Sequence, residues 1–491
     1  MLAAFAVLIA CGCVLRFWKL AGVGFWYDEL WTVVGASNRP FMEMYREWIL
    51  GDSHPPGYFL FYFLWFKVVP NTEFWARVPN AVAGVCTVLF LLVRTRRVLN
   101  RDERIMAACL ASLSYIYIFY AQSVKQYSAM VLLATIATIS YLEIALEKRV
   151  ERRSGVTLGV ACLALAYLNH FGLVYAVILF ALLAMTLRHS RESLLRIARI
   201  ALACGVGYLP IAYFLFLQVR YSIDAWQPYR IRAFLADVPP SLFFDDDTFV
   251  IRAVLVLGCA VLIRIALVPE TRQRVWSSQV RHILLIGATF VAFMVALGTS
   301  KPIFFVRYFL VIVPVVFLGL GIVIAAAFPI DQGWPAILPL VFFAHAAVVQ
   351  YHAVDAMQRE QWDRSVDLVL KSRTPNDLVY VLGAAMDKTE FDYLKAGDVD
   401  GVFNVRNLKF YRYYFRRRDA PSVAANLQVI PPTIQSARTL ATRFRNTGTT
   451  IYILGGHHVE YRGEALATLE RGARQVAITR LNSTLIYKLT F

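Results

Sequence analysis

Residues 307–327 read RYFLVIVPVVFLGLGIVIAAA, a run whose single charge is its first residue. A helix rises about 1.5 Å per residue, so a run of this length covers the roughly 30 Å hydrocarbon core of a bilayer. Comparable runs recur near residues 2–18, 79–93, 105–121, 128–146, 155–168, 171–187, 198–216, 249–268, 282–298 and 335–350. The sequence therefore predicts a polytopic α-helical membrane protein with about eleven transmembrane helices. The pair 155–168 and 171–187 is short and separated only by Asn169-His170.

Composition agrees: 58% of the 491 residues are hydrophobic and 17% charged, against about 25% charged in soluble domains. An ordinary cytosolic enzyme is excluded. The net charge of +17 raises the question of a nucleic-acid partner. Much of it falls instead in the short loops Arg94–Arg104, Glu147–Arg153, Arg188–Arg199 and Arg264–Arg281. All four lie on one side if the N-terminus is cytoplasmic, as the positive-inside rule requires. The other side then receives residues 19–78, the 122–127 turn, Asn169-His170, the loops 217–248 and 299–306, and the whole C-terminal part. Arg16 and Lys19 follow the first apolar run instead of preceding it, so this run reads as a retained span and not a cleaved leader. The seven cysteines all lie in or beside apolar segments, with no zinc-ligand spacing, and read as buried small hydrophobes.

Within residues 19–78, Phe59–Val69 is aromatic and too short to span, with Pro55-Pro56 before it and Pro70 after. An interfacial or re-entrant helix fits. From Asp355 the composition turns soluble, which divides the chain into a membrane domain, 1–354, and an extracytoplasmic α/β domain, 355–491. In the latter, 358–371, 434–445 and 461–472 read as helices, and 377–383, 450–455, 475–479 and 484–490 as strands.

Several polar groups gather at the predicted outer helix ends. Trp26-Tyr27-Asp28-Glu29-Leu30-Trp31 places two adjacent carboxylates among large aromatics directly after the first span. The pair suits the first turn of a helix; it equally suits a catalytic or ligand-binding site, since carboxylates at a bilayer surface are costly to desolvate. Asp52 and His54 flank Ser53 before the Pro55-Pro56 pair. There Asp52 or Ser53 can cap the following helix, or Asp52 and His54 can join the Asp28-Glu29 site as ligands, proton carriers or sugar-binding groups. Gln122, Lys125, Gln126, Tyr127 and His170 lie at further helix ends, as do Lys301, Arg307 and Tyr308. Lys301 reads as a headgroup-facing cation, whereas Lys125 and Arg307, bracketed by apolar or aromatic residues, suit a phosphate.

In order along the chain, the Asp28-Glu29 pair, HPPGYFL (54–60), RVPNAV (77–82), YAQSVKQY (120–127), Asn169-His170 and FFVRYFLVIVP (304–314) resemble the GT-C superfamily of polyprenyl-phosphate-sugar-dependent glycosyltransferases. The pattern is most similar to the bacterial branch of rhizobial galacturonosyltransferases, aminoarabinose transferases and protein O-mannosyltransferase relatives. It covers about residues 1–330. The resemblance implies a multi-pass protein of the bacterial inner membrane, with its active site and C-terminal domain on the periplasmic side. It assigns Asp28-Glu29 to catalysis, with Asp28 the base toward the acceptor hydroxyl. Asp52, His54, Lys125, Tyr127, His170, Arg307 and Tyr308 are implied to bind substrate, Arg307-Tyr308 at the lipid phosphate. Where the family carries an Arg before a Tyr, this chain has Lys125-Gln126-Tyr127, a Lys with one residue intervening.

The implied partners are a polyprenyl-phosphate-linked sugar donor, an envelope glycolipid, glycan or protein acceptor, and membrane lipids. The reaction is an inverting displacement needing one base and one or more cations. No organic cofactor is required, and a divalent metal held by Glu29, Asp52 or His54 is an open option. The sequence has no GxGxxG or GxxxxGK[ST] opening a helix. A transporter or flippase of lipid-linked sugars is the alternative, but transporters place key polar groups near the bilayer midplane in repeated halves, and no repeat is visible. From Asp355 onward Lys+Arg number 20 and Asp+Glu 14, and Phe410–Asp419 reads FYRYYFRRRD. An outer location makes this basic-aromatic run a membrane-facing surface or a contact for an anionic acceptor, not a nucleic-acid site. His457-His458 reads as a solvated loop pair.

Overall fold

The computed structural model describes residues 1–37, 40–52, 54–221, 248–298, 306–357, 359–383, 395, 399–456 and 460–491. Ser53, the 222–247 part of the long outer loop, Lys301 and the His457-His458 pair lie outside the described residues. The chain forms two compact units. One comprises Met1–Leu20, Ser53–Tyr58 and Arg77–Ala356, the other Ala21–Asp52, Phe59–Ala76 and Met357–Phe491. The second boundary, at Met357, falls close to the change of composition at Asp355, while residues 19–78 are divided between the units.

In the first unit, helices occupy all eleven stretches read as spans. Among the described residues six are long and apolar enough to cross a membrane: Glu73–Arg97, Tyr127–Glu147, Arg191–Leu217, Ser278–Gly298, Arg307–Gln332 and Trp334–Asp355. A seventh results if Arg101–Leu113 and Tyr115–Ala121, bent by 61° at Ser114, count as one span. Leu2–Leu15 and His170–Thr186 are shorter apolar helices. Six or more of the expected spans thus pass on length and composition among the described residues, and Leu255–Leu267 is a further shorter apolar helix. At Asn169 the backbone is extended and the side-chain Oδ1 accepts from Phe171 N at 2.8 Å, which ends one helix and caps the next.

The unit also buries a cation that reads in the sequence as a flanking charge. Arg16 is 0% exposed, and its guanidinium donates to the carbonyls of Gly12 (2.6 Å), Ser112 (2.8 Å) and Ala111 (2.6 Å). Gly12 is required there, since a Cβ would lie 2.3 Å from the Ser112 carbonyl oxygen.

The second unit holds a five-stranded sheet of β1 (Leu378–Leu382), β2 (Gln428–Ile430), β3 (Thr450–Gly456), β4 (Gln475–Leu481) and β5 (Thr484–Thr490), in the order β2-β1-β3-β5-β4. β1 pairs in parallel with β2 and β3, and β5 pairs antiparallel with β3 and β4. Helices Ile434–Arg443 and Gly463–Gly472 bury Ala437, Leu440 and Leu469 with Ile451, Ile453 and Tyr487 of the sheet. Helix Trp362–Ser372 precedes β1 as expected, and the FYRYYFRRRD run belongs to a long helix, Val399–Arg417. The same unit contains helix Tyr27–Ala36, a π-helical turn at Tyr45–Ile49 and most of the aromatic helix Gly57–Trp65.

Candidate functional site

In the second unit, Asp28 and Glu29 occupy the first turn of helix Tyr27–Ala36. Glu29 is 0% exposed. One carboxylate oxygen accepts from Trp26 N at 3.2 Å, and the other meets Arg359 Nη1 at 2.7 Å. The helix-cap role therefore falls to Glu29, which is committed to the backbone and to a buried arginine. Asp28, one position earlier, is partly buried, and its backbone carbonyl accepts from Thr32 Oγ1 at 3.4 Å.

Asp52 is buried at 4% exposure and accepts from the Trp31 indole Nε1 at 2.6 Å. The Arg406 guanidinium lies 4.0 Å from the Trp31 ring centroid and donates to Tyr27 Oη at 3.3 Å. Glu360 accepts from Tyr27 N at 2.7 Å and from Trp362 Nε1 at 2.8 Å. The WYDELW motif is thus built into a network of carboxylates, indoles and two buried arginines. Arg359 and Arg406 were not singled out from the sequence. No local spacing ties them to residues more than 300 positions away, and their motifs, REQW and NVRNLKF, resemble ordinary amphipathic helix.

The first unit gathers a different set. Lys125 is 3% exposed; its Nζ donates to Tyr58 Oη at 3.2 Å and lies 5.1 Å from that ring's centroid. His54 packs edge-on against Tyr58 and Tyr127, with centroids 6.1 and 6.3 Å away, and Tyr120 packs on Tyr127 at 4.8 Å. Gly57 lets this segment approach helix Arg152–Leu168, since a Cβ would meet the Tyr167 carbonyl oxygen at 2.4 Å.

The turn carrying Lys125 is held at both flanks. Gln122 donates to the carbonyls of Leu15 (2.7 Å) and Trp18 (2.9 Å), and Asn80 donates to Ser123 O at 2.6 Å while its own carbonyl accepts from Ser128 Oγ at 2.8 Å. This gives the RVPNAV segment its use. Pro79 also lacks the N–H that would bond Trp75 O inside the helix, and that carbonyl accepts from Trp65 Nε1 at 2.8 Å instead. The buried Gln126 amide has no hydrogen-bond partner among the described residues.

A third group lies in the same unit. Arg307 stands 5.7 Å from the Tyr308 ring centroid, and Tyr308 stacks on Phe171 at 4.8 Å, next to His170. The structure therefore brings His54, Lys125 and Tyr127 together around Tyr58, and sets Tyr308, beside Arg307, against Phe171, the residue after His170. Asp28, Glu29 and Asp52 belong to the other unit.

A metal centre does not fit these residues. Among the described residues no three His, Cys, Asp or Glu side chains form a possible metal-ligand group. Glu29 is engaged by Arg359, Asp52 by Trp31, and His54 lies against tyrosines.

Residues 53–217 match the model of a family described as dolichyl-phosphate-mannose-protein mannosyltransferase. No curated protein matches the sequence. The fold resembles the crystal structure of ArnT from Cupriavidus metallidurans in the apo state, at 10% identity, covering 98% of this chain and 97% of that one, with a TM-score of 0.59. It also resembles the same protein bound to undecaprenyl phosphate, at 12% identity and TM-score 0.55, with coverage of 98% and 97%. The fold is accordingly that of a GT-C-like polytopic helical membrane protein with a small C-terminal sheet.

Proposed function

We propose that this chain is a membrane glycosyltransferase that moves one sugar from a polyprenyl-phosphate donor to an acceptor of the cell envelope. The observation that carries the reading is the placement of Lys125 inside the segment that matches a dolichyl-phosphate-mannose-dependent family. It is a buried lysine held by a tyrosine hydroxyl and flanked by His54 and Tyr127. An ammonium beside a tyrosine hydroxyl is a fitting donor to the oxygens of a phosphoryl leaving group. The likeness to a fold that in ArnT holds undecaprenyl phosphate supports a lipid-linked donor.

In this reading Lys125 and Arg307 hold the donor phosphate, with Tyr58, Tyr127, His170 and Tyr308 shaping the surroundings. Asp28 takes the proton of the acceptor hydroxyl. The acceptor oxygen bonds to the anomeric carbon as the bond from that carbon to the phosphate oxygen breaks, so the configuration inverts and the polyprenyl phosphate leaves with the electron pair. The cations stabilise the charge that grows on the phosphate. Glu29 fixes the helix turn that presents Asp28, through the Trp26 amide and Arg359. The location follows the charge pattern: a bacterial inner membrane, with the basic loops cytoplasmic and the second unit periplasmic.

The test is transfer by purified protein from a polyprenyl-phosphate sugar. Asp28→Asn is expected to insert and fold but to lose about 10²–10⁴-fold in turnover, the usual contribution of a general base. Near-full turnover overturns the base assignment. Arg307→Ala is expected to raise the apparent KM for donor, and an unchanged donor titration removes it from the phosphate site. Mass spectrometry of envelope glycolipids from cells with and without the protein then names the sugar and acceptor.

A further inference from the structure

The second unit grips the helix that carries Asp28 from two sides. With 3.6 residues per turn, successive side chains of helix Tyr27–Ala36 are set about 100° apart around its axis. Tyr27 and Trp31, four positions apart, therefore share one flank. Glu29, two positions after Tyr27, lies on roughly the opposite flank, and Asp28 falls between the two. The direction of the Asp28 side chain is thus set by the rotation of this helix about its own axis.

Each flank is met by an arginine from the C-terminal part of the chain. Arg359 Nη1 lies 2.7 Å from Glu29 Oε1. On the other flank the Arg406 guanidinium stands 4.0 Å from the Trp31 ring centroid and 5.6 Å from that of Tyr27, and it donates to Tyr27 Oη at 3.3 Å. Arg406 belongs to a stripe of helix Val399–Arg417 in which Arg406, Phe410 and Tyr414 recur at a spacing of four. Phe410 packs edge-on against Tyr27 with centroids 5.2 Å apart, and Tyr414 Oη accepts from Phe25 N at 3.0 Å. The stripe therefore follows the chain from Phe25 to Trp31, through the turn that bears Asp28.

Phe410 and Tyr414, both 0% exposed, are explained by apolar burial alone. Arg406, 5% exposed, is not, because burying a guanidinium among aromatics costs free energy that a Leu or Met in its place would not. What the guanidinium adds is direction: it stacks on a ring face while its N–H groups reach a fixed acceptor. About 10° of helix rotation moves a carboxylate roughly 6 Å from the axis by about 1 Å, and a misplacement of about 1 Å costs on the order of 10²-fold in rate. We propose that Arg406 is a positioning residue for proton removal, which with Arg359 on the opposite flank fixes the rotation of helix Tyr27–Ala36 and so aims the Asp28 carboxylate at the acceptor hydroxyl. The proposal rests on the transfer reading, in which Asp28 is the base.

The experiment uses the full chain in nanodiscs, with a lipid extract from cells lacking the protein as the source of donor and acceptor. Transfer is measured for wild type, Arg406→Gln, Arg406→Lys, Asp28→Asn and Asp28→Asn/Arg406→Gln. Arg406→Gln is expected to lower kcat about 10–100-fold while the apparent KM for donor stays within about twofold of wild type. Arg406→Lys keeps a cation on the rings without the planar fork and is expected to recover part of the loss. In the Asp28→Asn background Arg406→Gln should cost less than about twofold more, because residues that act as one unit are not additive. A loss confined to melting temperature or to KM, or one that multiplies with that of Asp28→Asn, overturns the proposal. If Arg406→Gln turns over like wild type while Asp28→Asn is crippled, the proposal fails and the base reading stands; near-full turnover by Asp28→Asn overturns both. If Arg406→Gln does not fold, Tyr27→Phe decides, since it removes the hydroxyl that accepts from Arg406. A fall in kcat of about threefold that disappears in the Asp28→Asn background supports the proposal, and an unchanged kcat overturns it.

Discussion

The two units settle their buried charges in opposite ways. In the first, Arg16 is satisfied by three backbone carbonyls, two of them at the C-terminal end of helix Arg101–Leu113. Exposed carbonyls there carry the negative end of the helix dipole, so they solvate a cation without a second ion having to be desolvated. In the second unit, Arg359 meets Glu29, Arg417 meets Glu73 and Lys409 meets Glu47. The first unit also uses carboxylates, toward its basic loops, where Arg274 donates to both oxygens of Glu103 at 2.5 and 2.7 Å, and at Lys19–Asp355. Backbone dipoles thus satisfy Arg16 in the first unit, whereas in the second even the fully buried Glu29 is matched by a full charge, Arg359.

The largest effect is expected at the second unit's most buried pair. Glu29→Ala leaves Arg359, 4% exposed on its side chain, without its carboxylate. Removing one partner of a buried pair costs about 3–5 kcal/mol, so the apparent melting temperature in detergent is expected to fall sharply. Replacing both residues, Glu29→Leu with Arg359→Met, should recover most of the loss. A Glu29→Ala protein that melts like wild type breaks the contrast between the units.

In the first unit, Arg16→Met is expected to cost about 2–4 kcal/mol, because it strands carbonyls that accept charge-assisted hydrogen bonds. Arg16→Lys should fall between, since a point charge on a flexible stem cannot fork across three acceptors. If Arg16→Met is as stable as wild type, carbonyl solvation contributes nothing and the comparison loses one side. Asn80→Ala removes a neutral tie, the 2.6 Å bond to Ser123 O, and is expected to cost about 1–2 kcal/mol. Under the transfer reading it should also raise the donor KM, because Ser123 belongs to the turn that carries Lys125.

Much of this fold was legible because its signals are long or periodic. An apolar run such as 307–327 is read without tertiary information, and strands β1, β3, β4 and β5 alternate or are uniformly apolar between turn residues. The helix at Val399–Arg417 was missed although its pattern is present: Phe410, Tyr411, Tyr414 and Phe415 are all 0% exposed and recur at helical spacing. The run was read for its charges instead of its aromatics. The candidate site was legible in its motifs and illegible in its pairing. Asp28, Glu29, Lys125 and Arg307 stand out in the sequence as charged residues at predicted helix ends. That Glu29 is held by Arg359, that Asp52 bonds an indole, and that residues 19–78 divide between the units depends on contacts over hundreds of positions.

The smallest effect sharpens the rule for the second unit through its exception. Asp363 is partly buried in the first turn of helix Trp362–Ser372. Burial raises its carboxyl above the ordinary value, and the neighbouring Glu73 and Asp367 add to that, against a backbone hydrogen bond from Arg364 and the charge of Arg418. A raised folded-state value means that the folded protein holds this proton longer than the unfolded chain does. Below the unfolded value both states are protonated and the group is neutral to stability. As the pH rises through the folded value, ionisation counts against folding, and the deficit persists at higher pH. Asp363→Asn should therefore melt like wild type near pH 4 and slightly higher near pH 8. A variant that gains at acidic pH, or loses at pH 8, would place Asp363 among the matched carboxylates, with Arg418 outweighing burial.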